Sequence, residues 1–445
     1  MWRESVGNLV EAGTHRVGKL SCLAGIPFLQ KGVEVNGTVI DELAELEYYS
    51  LRYRLQAMKE PKGRRLRYFT FQQAQASILL GSGIITTAEY GRKDGPRDYQ
   101  LRNAFAAGLV GSVFGSVGSG IELAVNAQKC LENKRKKIDP DTARDWIIAK
   151  VRSIDTHLNQ RLELLKTLNV SEDKRICEVE GSLLKHLRDL AVYEFADWYA
   201  DARSYQASNS VFYALNILSN TISSVSYYYA KKAVDHDFAN SAESITAFAS
   251  DAVAIPSAPI SALTEKWLYK RWYKRFSEAV NEKIVDVEPL IKKDMSDLTA
   301  LVSQSDEASL VASGNIKLRM KAYGFWSDKF DKFLGQKSRH LRHLHDVAVE
   351  SVTVGPLIAT TSLAEDTLGA VGYYKFKNKE STANALNRAG SISLVTGAGA
   401  SIGYTAASLL REMKYEKKLR KENGLPEQQL QKRLETLDSL YEFFK

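Results

Sequence analysis

Three apolar segments, at residues 74–126, 211–264 and 351–411, constrain the fold of this 445-residue chain more than any other feature. Each segment holds two apolar runs joined by a short charged loop, which predicts a helical hairpin. We number these hairpins 1, 2 and 3. Their first residues are 137 and 140 positions apart. The six runs are Ala74–Tyr90, Ala104–Asn126, Val211–Tyr229, Ile245–Leu263, Ser351–Tyr374 and Gly390–Leu410.

The surroundings of the hairpins recur in the same order, which indicates an internal repeat rather than similar composition alone. The first run of each hairpin ends in tyrosine. A basic segment follows each hairpin, and a proline then interrupts it before another helix begins. The tyrosines are Tyr90, Tyr229 and Tyr374, and the prolines are Pro140, Pro289 and Pro426.

This repeat predicts an all-α protein, with three repeated apolar helical hairpins on long charged helices that pack as a pseudo-threefold helical bundle. Nine prolines in 445 residues agree with long, uninterrupted helices. An N-terminal segment with a lead-in helix occupies residues 1–73. Repeat 1 then covers 74–210, repeat 2 covers 211–350 and repeat 3 covers 351–445. The charged helices that follow the hairpins lie at 127–210, 265–350 and 412–445.

The length of the runs and their flanks favour contact with a membrane. A spanning helix needs about 20 apolar residues, and each run approaches that length. Small residues recur every four positions, as at Gly111 and Gly115, and this spacing lets helix backbones approach closely in lipid. Aromatic and basic residues alternate just after hairpin 2, as they do where helices leave a membrane on its cytoplasmic side. We therefore assign the following residues to an anionic membrane surface: Lys266, Trp267, Lys270, Arg271, Trp272, Lys274 and Arg275.

Three carboxylates inside the runs require a polar environment. Asp251 lies in hairpin 2, and Glu365 and Asp366 lie in hairpin 3. Each would cost about 2.5–3.5 kcal/mol at the centre of a bilayer. We therefore expect these side chains to face the hairpin interior. That interior is either a hydrated axis or the dry core of a soluble bundle, in which each carboxylate needs a hydrogen-bond donor.

A glycine-rich stretch in hairpin 3 has the spacing of a cofactor-binding turn. Ser393–Gly403 resembles the strand–turn–helix opening of short-chain dehydrogenases, whose glycines let the backbone approach a pyrophosphate. Only 42 residues follow Gly403, too few for the rest of such a domain. We interpret the glycines at 393–403 as a helix-packing face and predict neither a cofactor nor an enzymatic activity.

Two further sets of polar residues have the spacing of one helix face. His340, His343 and Asp346 step by three along a predicted helix and form a weak candidate for a metal site, although neighbouring arginines disfavour a cation there. The acidic residues Glu194, Asp197 and Asp201 also have helical spacing, which predicts the solvated face of a lead-in helix.

These features favour a non-enzymatic, membrane-associated helical scaffold or pore-like assembly with six weakly hydrophobic helices. A second hypothesis is a pore-forming effector that stays soluble until it inserts, since the hairpins resemble the hydrophobic hairpin of pore-forming colicins in general character. A third hypothesis is a soluble helical-bundle scaffold. The sequence leaves these alternatives open.

Charge and its distribution bear on partners and location. The net charge of +8 favours an anionic lipid membrane as the partner, and no nucleic-acid reader module surrounds the basic runs, so we expect no nucleic acid. Association into a homo-oligomer remains open. Basic residues are denser outside the hairpin loops, which predicts that the main helical parts are cytoplasmic. The residues after Met1 do not form a signal peptide, so we expect no secretion by that route.

Overall fold

The computed structural model describes residues 27–58, 63–166, 171–281, 284–304, 316–327 and 355–444. Within these ranges every regular element is an α-helix and no strand occurs, which confirms the predicted all-α class. The helices are α1 Pro27–Met58, α2 Arg64–Tyr90, α3 Asp98–Arg135, α4 Pro140–Lys166, α5 Ser171–Ala233, α6 Phe238–Val280, α7 Glu288–Gln304, α8 Ile316–Ser327, α9 Gly355–Phe376, α10 Glu380–Lys421 and α11 Pro426–Phe444.

Several helix ends follow directly from local sequence. α2 ends at Tyr90, as predicted, and the loop after it contains Gly95 with φ of 80°, a left-handed conformation that favours glycine. Pro140 and Pro426 open α4 and α11, where the N–H that proline lacks has no helical partner to lose. Pro289 lies in the first turn of α7. The three prolines therefore separate helices as predicted.

One helix is longer than its sequence pattern suggested. α5 runs without interruption for 63 residues from Ser171 to Ala233. The lead-in helix and the first run of hairpin 2 are thus one element. No proline occurs between these two residues, so nothing in the chain forces a break.

The glycine-rich stretch of hairpin 3 is helical throughout. Ser393–Gly403 lies in the middle of α10, and the strand and turn of a dinucleotide-binding opening are not formed there. The prediction that these glycines lie in a helix is confirmed, but the prediction of a packing face holds only for Gly397, which is buried. Gly399 and Gly403 are exposed, and nothing in the described part of the chain lies within 4 Å of a Cβ placed on either. The weak metal candidate formed by His340, His343 and Asp346 lies outside the described residues.

The chain forms two compact units. The first contains Met1–Leu46, Lys150–Leu190 and Asp286–Asp328. The second contains Glu47–Ala149, Ala191–Val285 and Lys329–Lys445. Three helices, α1, α4 and α5, contribute residues to both units. These boundaries do not follow the predicted repeats, whose structural equivalence stays a prediction.

A buried ion network stabilises the first unit. The carboxylate of Glu180 accepts hydrogen bonds from Arg319 Nε at 2.8 Å, from the Tyr323 hydroxyl at 2.7 Å and from Arg161 Nη2 at 3.2 Å. All four side chains are buried. Burial raises the pKa of Glu180, but the two guanidinium charges and the hydrogen bonds outweigh burial and hold the pKa below its ordinary value.

In the second unit the three hairpins contact one another in a closed cycle. Hairpin 1 (α2 and α3) meets hairpin 2 (α5 and α6) where the hydroxyls of Ser112 and Ser223 lie 3.0 Å apart. Hairpin 2 meets hairpin 3 (α9 and α10) through α6 and α9, and hairpin 3 returns to hairpin 1 through α10 and α2. Each hairpin therefore touches both others, which a linear array of hairpins does not allow.

The acidic residues on the lead-in part of α5 are buried, contrary to the prediction of a solvated face. Glu194 is 5% exposed and accepts from the guanidinium of Arg54 at 3.5 Å. Asp201 is also buried, and Asp197 is partly buried and accepts a hydrogen bond from the Tyr269 hydroxyl. On α1, Glu47 is buried in the same way and accepts from Arg433 Nε at 2.9 Å. Charged partners from distant parts of the chain compensate the burial, and spacing along one helix does not reveal them.

Candidate functional site

The outer surface of the hairpin bundle is apolar. Each of its six helices carries large aliphatic or aromatic residues of which at least a third of the residue's own surface is exposed. A soluble bundle would turn these faces into its core. The exposed residues are Ile84 on α2; Val110, Val113, Phe114 and Val117 on α3; Leu218 and Val225 on α5; Ile245, Phe248, Ile255, Ile260 and Leu263 on α6; Leu363 and Val371 on α9; and Ile392 and Leu410 on α10.

Most buried positions in the bundle hold small and polar residues instead, apart from an aromatic cluster formed by Tyr68, Phe212 and Tyr213. The side chains and backbones there pack so closely that a Cβ has no room at several glycines. A Cβ on Gly108 would lie 2.4 Å from the ring of Tyr227, and one on Gly118 would lie 2.6 Å from Cβ of Phe71. The buried small residues include Ser82, Gly83, Gly111, Ser112, Gly115, Ser119, Ser219, Ser250, Ser257, Ala258, Gly390, Ser391 and Gly397.

Reciprocal serine pairs join the two helices of hairpin 2. Ser208 donates to the carbonyl of Ser261 at 2.9 Å, and Ser261 donates to the carbonyl of Ser208 at 2.9 Å. Ser219 and Ser250 repeat the arrangement eleven residues along, or about three helical turns. Because each hydroxyl bonds the facing backbone, α5 and α6 approach closely without a large apolar side chain between them.

Amides and hydroxyls also line the junction between hairpins 1 and 2. Gln75 Nε2 donates to Asn220 Oδ1 at 2.6 Å, beside Gly115. Along α5, Asn220, Ser223 and Tyr227 follow at steps of three and four residues and therefore share one face. On α3 the residues opposite them are Gly115, Ser112 and Gly108. This junction is polar over about two helical turns.

Charged side chains mark the base of hairpin 1. Glu122 is fully buried, and it accepts from Arg64 Nε at 3.1 Å and from Arg67 Nε at 2.6 Å. Arg64 also donates to Asn126 at 3.4 Å. Glu122 belongs to the predicted apolar run Ala104–Asn126, and the sequence analysis did not single it out. Its partners lie more than 50 residues away, so only the tertiary structure connects them.

The three predicted interior carboxylates lie at the junction of hairpins 2 and 3. Asp251 is 7% exposed and accepts from the Ser362 hydroxyl at 2.9 Å. The carboxyl group of Asp366 lies within hydrogen-bonding reach of Asp251. Glu365 and Glu243 are partly buried. Glu365 lies within electrostatic range of both aspartates, and Glu243 lies within range of Asp366 and Glu365. We call these four residues the acidic cluster: Glu243, Asp251, Glu365 and Asp366.

Two tyrosines from the other helices approach the acidic cluster. Tyr227 on α5 lies within electrostatic range of all four carboxyl groups, and Tyr90 on α2 lies within range of Glu243 and Glu365. All three hairpins therefore contribute to this region. The tyrosines that end the first runs were noticed in the sequence as repeat markers, whereas their position beside the carboxylates required the structure.

Ion pairs between the loops hold the hairpin tips together. Arg102 of hairpin 1 contacts Asp235 of hairpin 2 at 3.2 Å. Lys377 of hairpin 3 contacts Asp237 of hairpin 2 at 2.8 Å, and the Tyr373 hydroxyl donates to the carbonyl of Asp237 at 3.0 Å. The tips of all three hairpins thus meet at one end of the bundle.

The predicted membrane-surface residues form an exposed basic and aromatic face on the C-terminal part of α6. Lys266, Trp267, Lys270, Arg271, Lys274 and Arg275 are exposed. Trp272 is partly buried, with the guanidinium of Arg203 centred 4.2 Å from its ring and that of Arg275 at 5.0 Å. Tyr273 also packs toward α5, where burial together with nearby Tyr193 and Asp197 raises its pKa to about 12. One side of this helix is therefore packed, and the other presents cations to solvent.

Within the part of the chain that the structure describes, two helical stretches are long and apolar enough to cross a membrane, judged by length and composition. They are Asp98–Lys166 and Glu380–Ser439, with best 18-residue windows of mean hydropathy 1.5 and 1.2. Only 39% and 17% of those windows are buried, so most of each faces outward. The windows belong to stretches that include the second helices of hairpins 1 and 3, α3 and α10.

Known proteins supply no analogy for this arrangement. No protein-family model, curated protein or solved structure matches the chain.

Proposed function

We propose that this chain is a non-enzymatic, membrane-embedded helical protein whose three hairpins insert into a lipid bilayer and enclose a polar, pore-like interior. The observation that carries the proposal is the distribution of side chains in the bundle. Large apolar residues face outward on all six hairpin helices, and serine, glycine and carboxylate residues face inward. Lipid is as apolar as leucine, so membrane helices associate through small residues and hydrogen bonds.

The hydrogen-bonding pattern supports the same proposal. Hydroxyls of the hairpin interior donate to backbone carbonyls across helix pairs, as Ser219 and Ser393 do. In α6, Pro256 and Pro259 lie inside a continuous helix, and such prolines are tolerated in membrane helices where neighbours satisfy the freed carbonyls. In water, by contrast, an apolar surface of this extent would drive association or aggregation.

The flanking charges support an orientation. The cationic face at Lys270 and Lys274 adjoins the end of the second helix of hairpin 2, and basic residues at cytoplasmic ends set membrane topology. We assign the helical stems to the cytoplasm and the hairpin tips to the opposite side. The anionic headgroups of the inner leaflet are then the partner of the basic face.

Accessibility of single cysteines tests the insertion directly. In a chain whose native cysteines are replaced by serine, Val113→Cys places a thiol on the apolar outer face of α3. Leu131→Cys places one on the same helix, beyond the buried charge of Glu122. Val113 and Leu131 are 42% and 59% exposed in the protein alone, so both thiols react readily if the bundle is soluble. The readout is labelling by a water-soluble maleimide in isolated membranes, before and after detergent.

The proposal predicts that the thiol at 113 is labelled only after detergent is added, while the thiol at 131 is labelled in both conditions. Equal labelling of both thiols without detergent, or release of the full chain by an alkaline carbonate wash, would refute membrane insertion and favour a soluble scaffold. Dye leakage from preformed liposomes on adding soluble protein would instead identify the effector hypothesis.

A further inference from the structure

We propose that Asp251 and Asp366 share one exchangeable proton and form a proton-binding site between hairpins 2 and 3. The role of this site in transport rests on the proposed function. The site adds to that function by identifying the proton as the species that binds in the polar interior. An ionisable residue inside a membrane bundle marks an ion or proton pathway more often than a structural contact.

The geometry of Asp251 carries the inference. Ser362 donates to Oδ1 at 2.9 Å, whereas Oδ2 is buried and receives no hydrogen bond from any donor in the described part of the protein. The group within reach of Asp251 is a second carboxyl, that of Asp366. Two carboxyl groups form a hydrogen bond only if a proton lies between them, and two buried carboxylates in contact do not both stay charged.

The remaining titratable neighbours do not neutralise the pair. Glu243 on α6 and Glu365 on α9 are acidic and supply no positive charge to it. Tyr227 on α5 and Tyr90 on α2 are the titratable groups that approach the acidic cluster from the other helices. α10 presents Gly390 to the backbone of Glu365, and its Arg388 lies against Gly91 at the tip of hairpin 1.

A metal ion is a poorer occupant than a proton. Among the described residues no group of three or more acidic, histidine or cysteine side chains has the arrangement that a metal ion needs. A proton needs only the two facing oxygens. When the pair releases its proton, both carboxylates become charged. Uptake of a proton from either side of the bundle restores the neutral acid on one of them, so the cycle conserves charge and mass.

A polar face of α5 passes the level of this pair and continues toward the hairpin tip, since Ser219 faces Ser250, the neighbour of Asp251, and Ser226 faces the backbone of Glu243. The Gln75–Asn220 contact, the Ser112–Ser223 contact and Tyr227 follow one another along the face of α5. The titratable groups that can pass a proton to the pair are Tyr227 on this face and the carboxyl groups of Glu243 and Glu365. The pair then serves as the step at which the proton is held.

Infrared spectroscopy and proton flux test the proposal in the same samples. Full-length protein is reconstituted into liposomes, and incorporation is verified by flotation after a carbonate wash. The variants are Asp251→Asn and Asp366→Asn, which keep size and hydrogen-bonding capacity. The matched control is Asp235→Asn, an exposed aspartate at the tip of hairpin 2. The readouts are the carbonyl band of a protonated carboxyl group near neutral pH and the rate of proton uptake measured with an entrapped pH indicator dye.

The expected result is a protonated-carboxyl band that is equally strong in wild type and in Asp235→Asn and clearly weaker in both cluster variants, with proton uptake at least tenfold slower in those variants. Absence of the band in incorporated wild type, or equal proton uptake by wild type and both cluster variants, would overturn the proposal. Failure of wild type to float with liposomes would instead refute the proposed insertion, so the two failures are distinguishable.

Discussion

The hydroxyl of Ser219 donates to the backbone carbonyl of Ser250 at 3.3 Å, and the hydroxyl of Ser250 donates to that of Ser219 at 3.1 Å. The exchange brings α5 and α6 together through groups that contribute little apolar area. The apolar side chains of the same helices, including Leu218 and Phe248, remain on the outer surface. In this helix pair, polar groups form the contact between the helices and large apolar side chains face away from that contact.

Close packing around α3 predicts opposite effects for two neighbouring glycines. A Cβ on Gly118 would lie 2.6 Å from Cβ of Phe71, whereas one on Gly120 meets nothing within 4 Å. We expect Gly118→Ala to destabilise the protein by about 1–3 kcal/mol because the helices must move apart. Gly120→Ala should be neutral or stabilise by up to about 1 kcal/mol because alanine favours helix. Thermal unfolding of the purified variants gives the comparison. Equal melting temperatures would contradict the observed packing.

The ion network of the first unit predicts a pH-dependent stability. Its carboxylate, Glu180, has a lowered pKa in the folded chain, so its stabilising contribution is present above the unfolded value near 4.5 and is lost as pH falls below it. We expect Glu180→Gln to destabilise by about 3–5 kcal/mol at pH 7, because Arg161 and Arg319 lose their buried partner. The difference in the free energy of unfolding between this variant and wild type should be smaller at pH 3.

Chemical denaturation at the two pH values measures this effect. The matched control is Glu163→Gln on α4, since Glu163 is exposed and pairs with Lys166 at the surface. Such a pair contributes about 0–1 kcal/mol, so the control should resemble wild type at both pH values. If Glu180→Gln lowers the free energy of unfolding by as much at pH 3 as at pH 7, the loss of charge is not the cause of the destabilisation.

The basic face of α6 predicts binding to anionic lipid. Each lysine near such a surface contributes about 1 kcal/mol, so the double variant Lys270→Gln, Lys274→Gln should weaken binding by roughly thirtyfold. The double variant Lys292→Gln, Lys293→Gln on α7 removes the same charge. In both variants one of the two lysines pairs with a glutamate four residues away.

Flotation of freshly synthesised full-length chain with vesicles of increasing concentration gives the measurement. We expect the α7 control to float like wild type, and the α6 variant to require more vesicles only when anionic lipid is present. Equal losses in both variants would indicate a general effect of net charge, and the basic face would then have no special role.

The closed cycle of hairpins predicts a specific cross-link. The position of a Cβ on Gly83 of hairpin 1 lies 2.9 Å from a methyl carbon of Val395 in hairpin 3. In a chain without native cysteines, Gly83→Cys with Val395→Cys should form a disulfide rapidly on mild oxidation, measured as loss of free thiols. Gly120→Cys with Val395→Cys should not, because nothing lies within 4 Å of the Cβ position at Gly120. Equal rates for the two pairs would argue for hairpins arranged in a line.

Much of this architecture could be predicted from local pattern. Runs of apolar residues between charged loops define the hairpins, and the end of α2 at Tyr90 and the breaks at Pro140 and Pro426 follow from residues at those positions. The requirement that Asp251, Glu365 and Asp366 find polar surroundings follows from the cost of an unpaired buried charge. The dry-core alternative predicted a hydrogen-bond donor for each carboxylate, and Ser362 is such a donor for Asp251.

The sequence by itself determined the helices, their ends and the number of hairpins, because each depends on residues close together in the chain. Only the tertiary structure decided which face of each hairpin turns inward and which distant groups meet. Glu194 with Arg54 and Glu122 with Arg64 are buried pairs whose members are 140 and 58 residues apart. From the sequence around each partner alone, a charged residue in a helix is expected at the surface. The face with the larger side chains turned outward, since small residues and serine hydroxyls bring the helix backbones together more closely than leucine does.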